Sequence, residues 1–256
     1  MKKIYILISI ISINTIAADY EPYESSYEPL PYTNTIFKNA NIYDGDGKEF
    51  IETDIIIQDG KIIAIGKELP RSNELITVDA TGKWITPGII DIHSHMGVYP
   101  APSVKTSSDG NEATSPVTAD VWAEHSIWTQ DPQFALALKG GVTTFHVLPG
   151  SANLIGGRGV TAKNLQRNTI NSMKFPDAPH SLKMACGENP KRVYGNRGQA
   201  PSTRMGNIAG YRKSWIKAES YLSKLDEYEA KSDEAKELSY KPTRDLELET
   251  LAGALR

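Results

Sequence analysis

Short apolar runs separated by turn residues dominate residues 34–86 of the 256-residue chain. Ile55–Ile57 and Ile62–Ile65 flank Asp59-Gly60, a dipeptide typical of the two-residue turn in a β-hairpin. Val78, Trp84 and Ile85 continue the strand-like pattern. These features predict a small β-domain over residues 34–86.

The pattern changes after Pro87 to strands that alternate with helices. An apolar run ends near Ile92, and Asp131-Pro132 is typical of a helix start that Gly140-Gly141 would end. Residues 142–148 form the next strand-like run, and residues 182–187 form another. The order of strand, helix and strand predicts a parallel α/β domain over residues 87–256. A long helix over residues 207–231 would pack through apolar positions spaced three and four apart: Ile208, Tyr211, Trp215, Ala218, Leu222 and Leu225.

The first 33 residues resemble a leader rather than part of a fold. Lys2 and Lys3 precede an apolar stretch at residues 4–13, and small residues follow at 15–18. This order predicts a signal peptide over residues 1–18 and an exported protein, either periplasmic or secreted. Proline-rich residues 19–33 predict a disordered lead-in. No later run is long enough for a transmembrane helix, so we expect no membrane association after signal removal.

Composition narrows the classes of partner. A formal net charge of −3 and a pI near 6.0 give no support for nucleic-acid binding. The expected partner is a small-molecule substrate, and a homo-oligomer is compatible with the sequence. Cys186 is the single cysteine, which excludes an intrachain disulfide and leaves buried packing as its expected role.

Two histidines at the end of the apolar run are the strongest chemical signal. His93 and His95 lie two residues apart, so a strand would send both imidazoles out on one face. Two neutral imidazoles on a rigid strand can bind a divalent metal such as zinc. Asp91 shares that face and is expected to orient a ligand histidine by hydrogen bonding. The alternative is a chance pair of ordinary histidines.

The segment from Pro87 to His95 reads P-G-I-I-D-I-H-S-H. It resembles the metal-binding first barrel strand of the amidohydrolase superfamily. Residues 41–45 and 54–66 are similar to the small β-sandwich-like domain that precedes the barrel in these enzymes. Residues 141–150 and 182–190 resemble the branch related to imidazolonepropionase. The resemblance extends from Thr35 onward and implies a (β/α)8 TIM barrel.

The resemblance implies metal-dependent hydrolysis of a C–N bond in an amide, a cyclic amide or a dipeptide. One or two divalent ions, most plausibly zinc, would activate a water. The bridging ligand would be Lys183, carboxylated by carbon dioxide, or Glu188 without modification. Two further histidines and the general-base aspartate would lie beyond Arg256. Residues 89–256 are fewer than the about 250 residues of a complete barrel, so we expect about half a barrel, inactive alone.

Other residues near the expected strand ends could contact substrate. His146 ends the second barrel strand, although a purely structural histidine is an equal alternative. Asn189 and Arg192 follow the third strand and could bind an anionic group. The polar segment 100–116 follows the metal strand and could shape specificity or merely connect. Two rival functions remain open: an ester or phosphoester hydrolase on the same barrel, and a non-catalytic secreted binding protein of the same fold.

Overall fold

The computed structural model describes residues 24–256. The predicted signal peptide and the first part of the lead-in, up to residue 23, lie outside the described residues. Residues 24–33 contain neither helix nor strand, but they contact the second half of the chain. The Ser25 hydroxyl donates to the Lys174 carbonyl at 2.8 Å, and the Ser26 N–H donates to the Asn171 carbonyl at 2.9 Å.

The first unit is a five-stranded sheet. Its strands are β1 (Thr35–Tyr43), β2 (Glu49–Gln58), β3 (Lys61–Gly66), β4 (Ile76–Asp79) and β5 (Trp84–Ile85). β2 pairs with β3 and β1 in antiparallel fashion, and the other edge of β1 pairs in parallel with β4 and then β5. Ala40, Ile42, Ile55 and Ala80 form its buried core.

The hairpin predicted at Asp59-Gly60 is confirmed. Asp59 and Gly60 both have positive φ, at 49° and 73°, as a type I′ turn requires. The ring of Tyr32 lies where a side chain at position 60 would begin, only 2.3 Å from an ideal Cβ. Gly60 is therefore required by both the turn and the packing of the lead-in against it.

The second unit is a four-stranded sheet flanked by helices. Its strands are β6 (Ile89–Ser94), β7 (Val142–Val147), β8 (Ile155–Lys163) and β9 (Ser181–Met184), in that spatial order. β6 and β7 are parallel, whereas β8 is antiparallel to both β7 and β9. Strands β6, β7 and β9 therefore share one direction, as successive strands of a barrel do.

Among residues 24–256, five α-helices accompany this sheet. They are α1 (Pro132–Lys139), α2 (Glu188–Gly195), α3 (Arg204–Glu229), α4 (Asp233–Glu237) and α5 (Leu246–Gly253). Asp131 caps α1 by accepting from the Gln133 N–H, and Gly140 ends it, as the sequence predicted. None of the helices within residues 24–256 is both long and apolar enough to cross a lipid bilayer.

Two apolar cores hold the second unit together. Val98, Phe134, Phe145, Val147 and Met173 fill the space beneath β6 and β7. The second core joins the β8 region to α3 and α5 through Leu154, Ile155, Ala218 and Leu251.

The predicted α/β class is confirmed: a small β-domain precedes the first part of a barrel. Three details differ from the prediction. No strand was predicted at Ile155–Lys163, yet β8 lies there and makes the sheet mixed rather than purely parallel. The apolar run of β6 is typical of a buried strand, but Ile90 and Ile92 are exposed, because among the described residues β6 packs mainly against β7 alone. Ile208 does not join the packed stripe of α3 and is 55% exposed.

Candidate metal centre

Side chains from the two edge strands of the four-stranded sheet meet at its face. Lys183 Nζ of β9 lies 3.1 Å from His93 Nε2 of β6. In a flat sheet those strands would lie about 14 Å apart, and the side chains of Lys183 and His93 could not touch across that distance. The sheet is therefore strongly curved, and the curvature brings Lys183 and His93, 90 positions apart in the sequence, into contact.

His93 and His95 lie side by side, with ring centroids 5.2 Å apart and ring planes at 82°. The Nδ1 atom of His95 lies 2.8 Å from the Leu148 carbonyl oxygen. Because a carbonyl only accepts, Nδ1 carries the proton and Nε2 keeps its lone pair. A backbone carbonyl on the far nitrogen is the usual way in which proteins orient a metal-binding imidazole.

The local electrostatics favour neutral nitrogen atoms. The Lys183 ammonium is the largest cause that lowers the pKa of His93, followed by burial and by His95, while Asp91 opposes them. Burial lowers the pKa of Lys183 as well. A neutral imidazole can bind a metal, and a neutral amine can react with carbon dioxide.

Three convergent side chains could hold a divalent metal. Within residues 24–256 no group of three His, Cys, Asp or Glu side chains converges on one point. The convergent set is instead His93, His95 and Lys183. It fits a metal when Lys183 carries a carboxylate, because that change adds oxygen ligands to two imidazoles.

The other candidate for the bridging ligand points elsewhere. Glu188 is the first residue of α2, and its side chain is 74% exposed. Its carboxylate accepts from Arg192 Nε at 3.0 Å, four residues later on the same helix. Glu188 and Arg192 thus pair with each other on the surface of α2, away from the two histidines. The geometry therefore favours Lys183 as the bridging ligand.

Asp91 contacts His93 through the backbone rather than through the ring. Its Oδ1 accepts from the His93 N–H at 3.1 Å. A carboxylate in that position fixes the main chain at the end of β6. Its role in orienting a ligand therefore remains a prediction, with the backbone as the route.

His146 lies on β7 with both ring nitrogens engaged by hydroxyl groups. Nδ1 lies 2.9 Å from Thr161 Oγ1, and Nε2 lies 2.6 Å from Ser181 Oγ. Burial is the main cause that lowers its pKa, and the nearby His180 and His93 add to the effect. These bonds favour the structural alternative, while substrate contact stays a prediction.

Three loops at the end of the parallel strands are tied together by carboxamides. Asn189, after β9, donates to Ser151 Oγ at 2.6 Å, so it braces the loop after β7. Asn111, in the loop after β6, accepts from the Ala152 N–H at 2.9 Å. Asn153 donates to the carbonyls of Glu112 and Ser115 at 2.6 and 2.9 Å. The rim of the site is therefore preassembled.

The sequence analysis missed Asn111 and Asn153, and it missed Tyr99, whose ring packs edge-on against His95. The only available signal was the unusual length of the polar segment 100–116, which did not identify individual residues. The expected buried role of Cys186 was wrong. Its side chain is exposed, because it follows the last residue of β9 instead of lying inside the strand.

Comparison with known proteins bears on the fold and on the class of protein. No protein-family model matches the chain. The amidohydrolase tasK of Hapsidospora irregularis is 34% identical over 247 residues, covering 90% of this chain and 24% of that protein. A dihydroorotase of Ligilactobacillus salivarius is 41% identical over 63 residues, covering 24% of this chain and 14% of that enzyme.

A crystal structure of an amidohydrolase from Thermotoga maritima superposes with a TM-score of 0.75 at 38% identity. The match covers 85% of this chain and 54% of that one. The chain thus spans about a quarter of the length of tasK and about half of the Thermotoga amidohydrolase.

The fold is the first part of a barrel with a pair of histidines on its first strand. These likenesses support the amidohydrolase superfamily, whose members this chain covers in part. The branch related to imidazolonepropionase remains a prediction.

Proposed function

We propose that the protein containing this chain is an exported, metal-dependent amidohydrolase that hydrolyses a C–N bond. The observation that carries the proposal is the 3.1 Å approach of Lys183 Nζ to His93 Nε2, with the His95 ring beside them. The names of the similar proteins support the reaction class. The leader-like pattern of residues 1–18 supports export.

His93, His95 and Lys183 would hold one or two divalent ions, with zinc as the first choice for two imidazoles. Such an ion supplies a Lewis acid that lowers the pKa of water and polarises a carbonyl. The chain contributes the orientation of its ligands. The Leu148 carbonyl holds His95 in one tautomer, and Asp91 holds the backbone of His93.

Lys183 would act after carboxylation. Its neutral Nζ attacks carbon dioxide, a new N–C bond forms, and one proton leaves to solvent. The product is an anionic carbamate. Its negative charge would offset the positive charge of a cation bound by the two neutral imidazoles, whereas the bare ammonium would repel that cation.

The test is hydrolysis by the full-length protein, supplied with zinc and bicarbonate. The amide panel is succinimide, N-acetylglycine and glycylglycine. p-Nitrophenyl acetate and p-nitrophenyl phosphate represent the ester and phosphoester alternatives. We expect cleavage of at least one amide. Cleavage of the esters or phosphoesters alone would replace the proposal with the rival hydrolase.

The matched variants are Lys183→Ala and Lys139→Ala. Lys139 is an exposed residue at the end of α1, so its loss should change nothing. Lys183→Ala should lose metal and activity, and added propionate should restore part of both because its carboxylate can enter the space vacated by the side chain. Full zinc binding and activity in Lys183→Ala would contradict the ligand assignment. An inactive wild type without bound metal would favour a binding protein.

A further inference from the structure

Tyr99 occupies a fixed position beside the candidate metal centre. It follows His95 by four residues, and its N–H donates to the His95 carbonyl at 3.0 Å. Its ring meets the His95 imidazole edge-on, with centroids 5.7 Å apart and planes at 80°. Gln133 Nε2 donates to the Tyr99 carbonyl at 2.9 Å. The backbone and the ring are therefore both held, and the side chain remains 37% exposed.

Asn111 makes the phenolic oxygen of Tyr99 a hydrogen-bond acceptor. The Ala152 N–H donates to Asn111 Oδ1, and because a backbone N–H can only donate, this bond fixes the orientation of the amide. Asn111 Nδ2 then faces the Tyr99 hydroxyl and donates to its oxygen. The hydroxyl thus accepts one hydrogen bond, and its own proton is not used in that contact.

Two glycines make this contact sterically feasible. An ideal Cβ on Gly110 would lie 2.2 Å from Tyr99 Cζ, and one on Gly150 would lie 2.2 Å from Asn111 Nδ2. The same two residues are joined by a backbone hydrogen bond of 2.6 Å from Gly150 N to Gly110 O. The loops after β6 and β7 therefore approach closely, and they clamp Tyr99 over His95.

The phenolic proton of Tyr99 has no acceptor among residues 24–256. A phenol keeps its proton at neutral pH. A rigid hydroxyl with an unused proton beside a metal centre is a hydrogen-bond donor prepared for a ligand.

The charges of the surrounding loop indicate which ligand atom it takes. Between residues 96 and 116 the only cation is Lys105, whereas Asp109 and Glu112 carry negative charge. The loop itself therefore carries net negative charge and supplies no cation to bind an anionic group, whereas a neutral carbonyl needs only a hydrogen-bond donor. Arg192, which the sequence analysis considered as an anion-binding residue, is paired with Glu188.

We propose that Tyr99 is a specificity residue that donates a hydrogen bond to a neutral carbonyl oxygen of the substrate. The favoured substrates are cyclic amides or imides, rather than amides with a free carboxylate beside the scissile bond. This inference rests on the proposed function for its catalytic consequence, although ligand binding can be measured without turnover.

The decisive variants are Tyr99→Phe and Asn111→Asp in the full-length protein. Tyr99→Phe keeps the ring against His95 and removes the hydroxyl. Asn111→Asp keeps the acceptor for Ala152 but replaces the amide donor with an oxygen that takes the phenolic proton. Both should reduce kcat/KM for succinimide by about ten- to a hundredfold, with metal content unchanged. Tyr240→Phe, at a fully exposed tyrosine, is the matched control.

The same comparison by calorimetry, with metal-free protein and intact succinimide, separates this inference from the proposed function. Weaker binding by Tyr99→Phe and Asn111→Asp than by the wild type supports it, even if no amide is hydrolysed. Three results would overturn the inference: equal affinity of all three proteins, no binding by the wild type, or tighter binding of N-acetylglycine than of succinimide. A wild type that binds succinimide but cleaves no amide would instead refute the proposed function alone.

Discussion

Replacing Asp131 by alanine should destabilise the protein far more than the loss of an ordinary helix cap. The Asp131 side chain is buried at 1% exposure and accepts four hydrogen bonds. Oδ1 accepts from the N–H groups of Gln133 and Ala101 at 3.0 and 3.2 Å. Oδ2 accepts from Gly97 N and Gln133 Nε2 at 2.8 and 2.9 Å. One carboxylate thus joins the start of α1 to the segment that follows His95.

The expected magnitude follows from those bonds. The cap on α1 is worth about 0.5–2 kcal/mol. The N–H groups of Gly97 and Ala101 would each lose their partner, and an unsatisfied buried donor costs about 1–3 kcal/mol. We therefore expect Asp131→Ala to lower the free energy of unfolding by about 2.5–8 kcal/mol.

The assay is equilibrium unfolding in urea, with Asp245→Ala as the matched control. Asp245 caps α5 through a single bond to the Leu248 N–H at 3.0 Å and is exposed, so its loss should cost about 1 kcal/mol. Equal losses of stability in the two variants would refute the view that Asp131 organises the segment after the metal strand.

Three further predictions concern stability. Phe145→Ala should cost about 3–5 kcal/mol in urea unfolding, because Phe145 is fully buried and stacks on Phe134 at 5.1 Å. Gly159→Ala should cost about 1–3 kcal/mol in the same assay, since the new Cβ would lie 2.8 Å from His146 Nε2. Burial, with a smaller contribution from Cys186, raises the pKa of Tyr211 from 10.0 to about 12. The stability that this raised pKa contributes is complete below pH 10 and is lost as the pH rises towards 12. The free energy of unfolding should therefore fall less across this pH range in Tyr211→Phe than in the wild type.

Each of these predictions has a control. Phe175→Ala removes a partly exposed ring and should cost clearly less than Phe145→Ala. Gly187→Ala places its Cβ in open space, so a loss as large as that of Gly159→Ala would contradict the steric argument. A wild type and a Tyr211→Phe variant with parallel losses of stability above pH 10 would show that the Tyr211 phenol does not titrate as described.

The β-domain and the histidine pair could be predicted because their signals are local. The turn at Asp59-Gly60 is determined by backbone conformation at two adjacent residues. His93 and His95 lie on one strand, so the period of two residues brings them together. Such relations need no knowledge of the tertiary fold.

Relations between distant segments were harder to predict. The choice between Lys183 and Glu188 depends on the curvature of the sheet, which brings β9 to β6, and on the start of α2 at Glu188. β8 was missed because Gly156, Gly157 and Gly159 weaken any strand pattern. Close packing explains the glycine at position 159, because a side chain there would displace His146.

The most direct test of the account is a crystal structure of the full-length protein with zinc and bicarbonate, recorded at the zinc absorption edge. We predict an anomalous peak about 2.0–2.1 Å from an Nε2 atom of His93 or His95, with added carboxylate density on Lys183 in contact with it. Imidazoles turned away from each other, or zinc bound elsewhere with Lys183 unmodified, would contradict the central claim that these three residues form one metal centre.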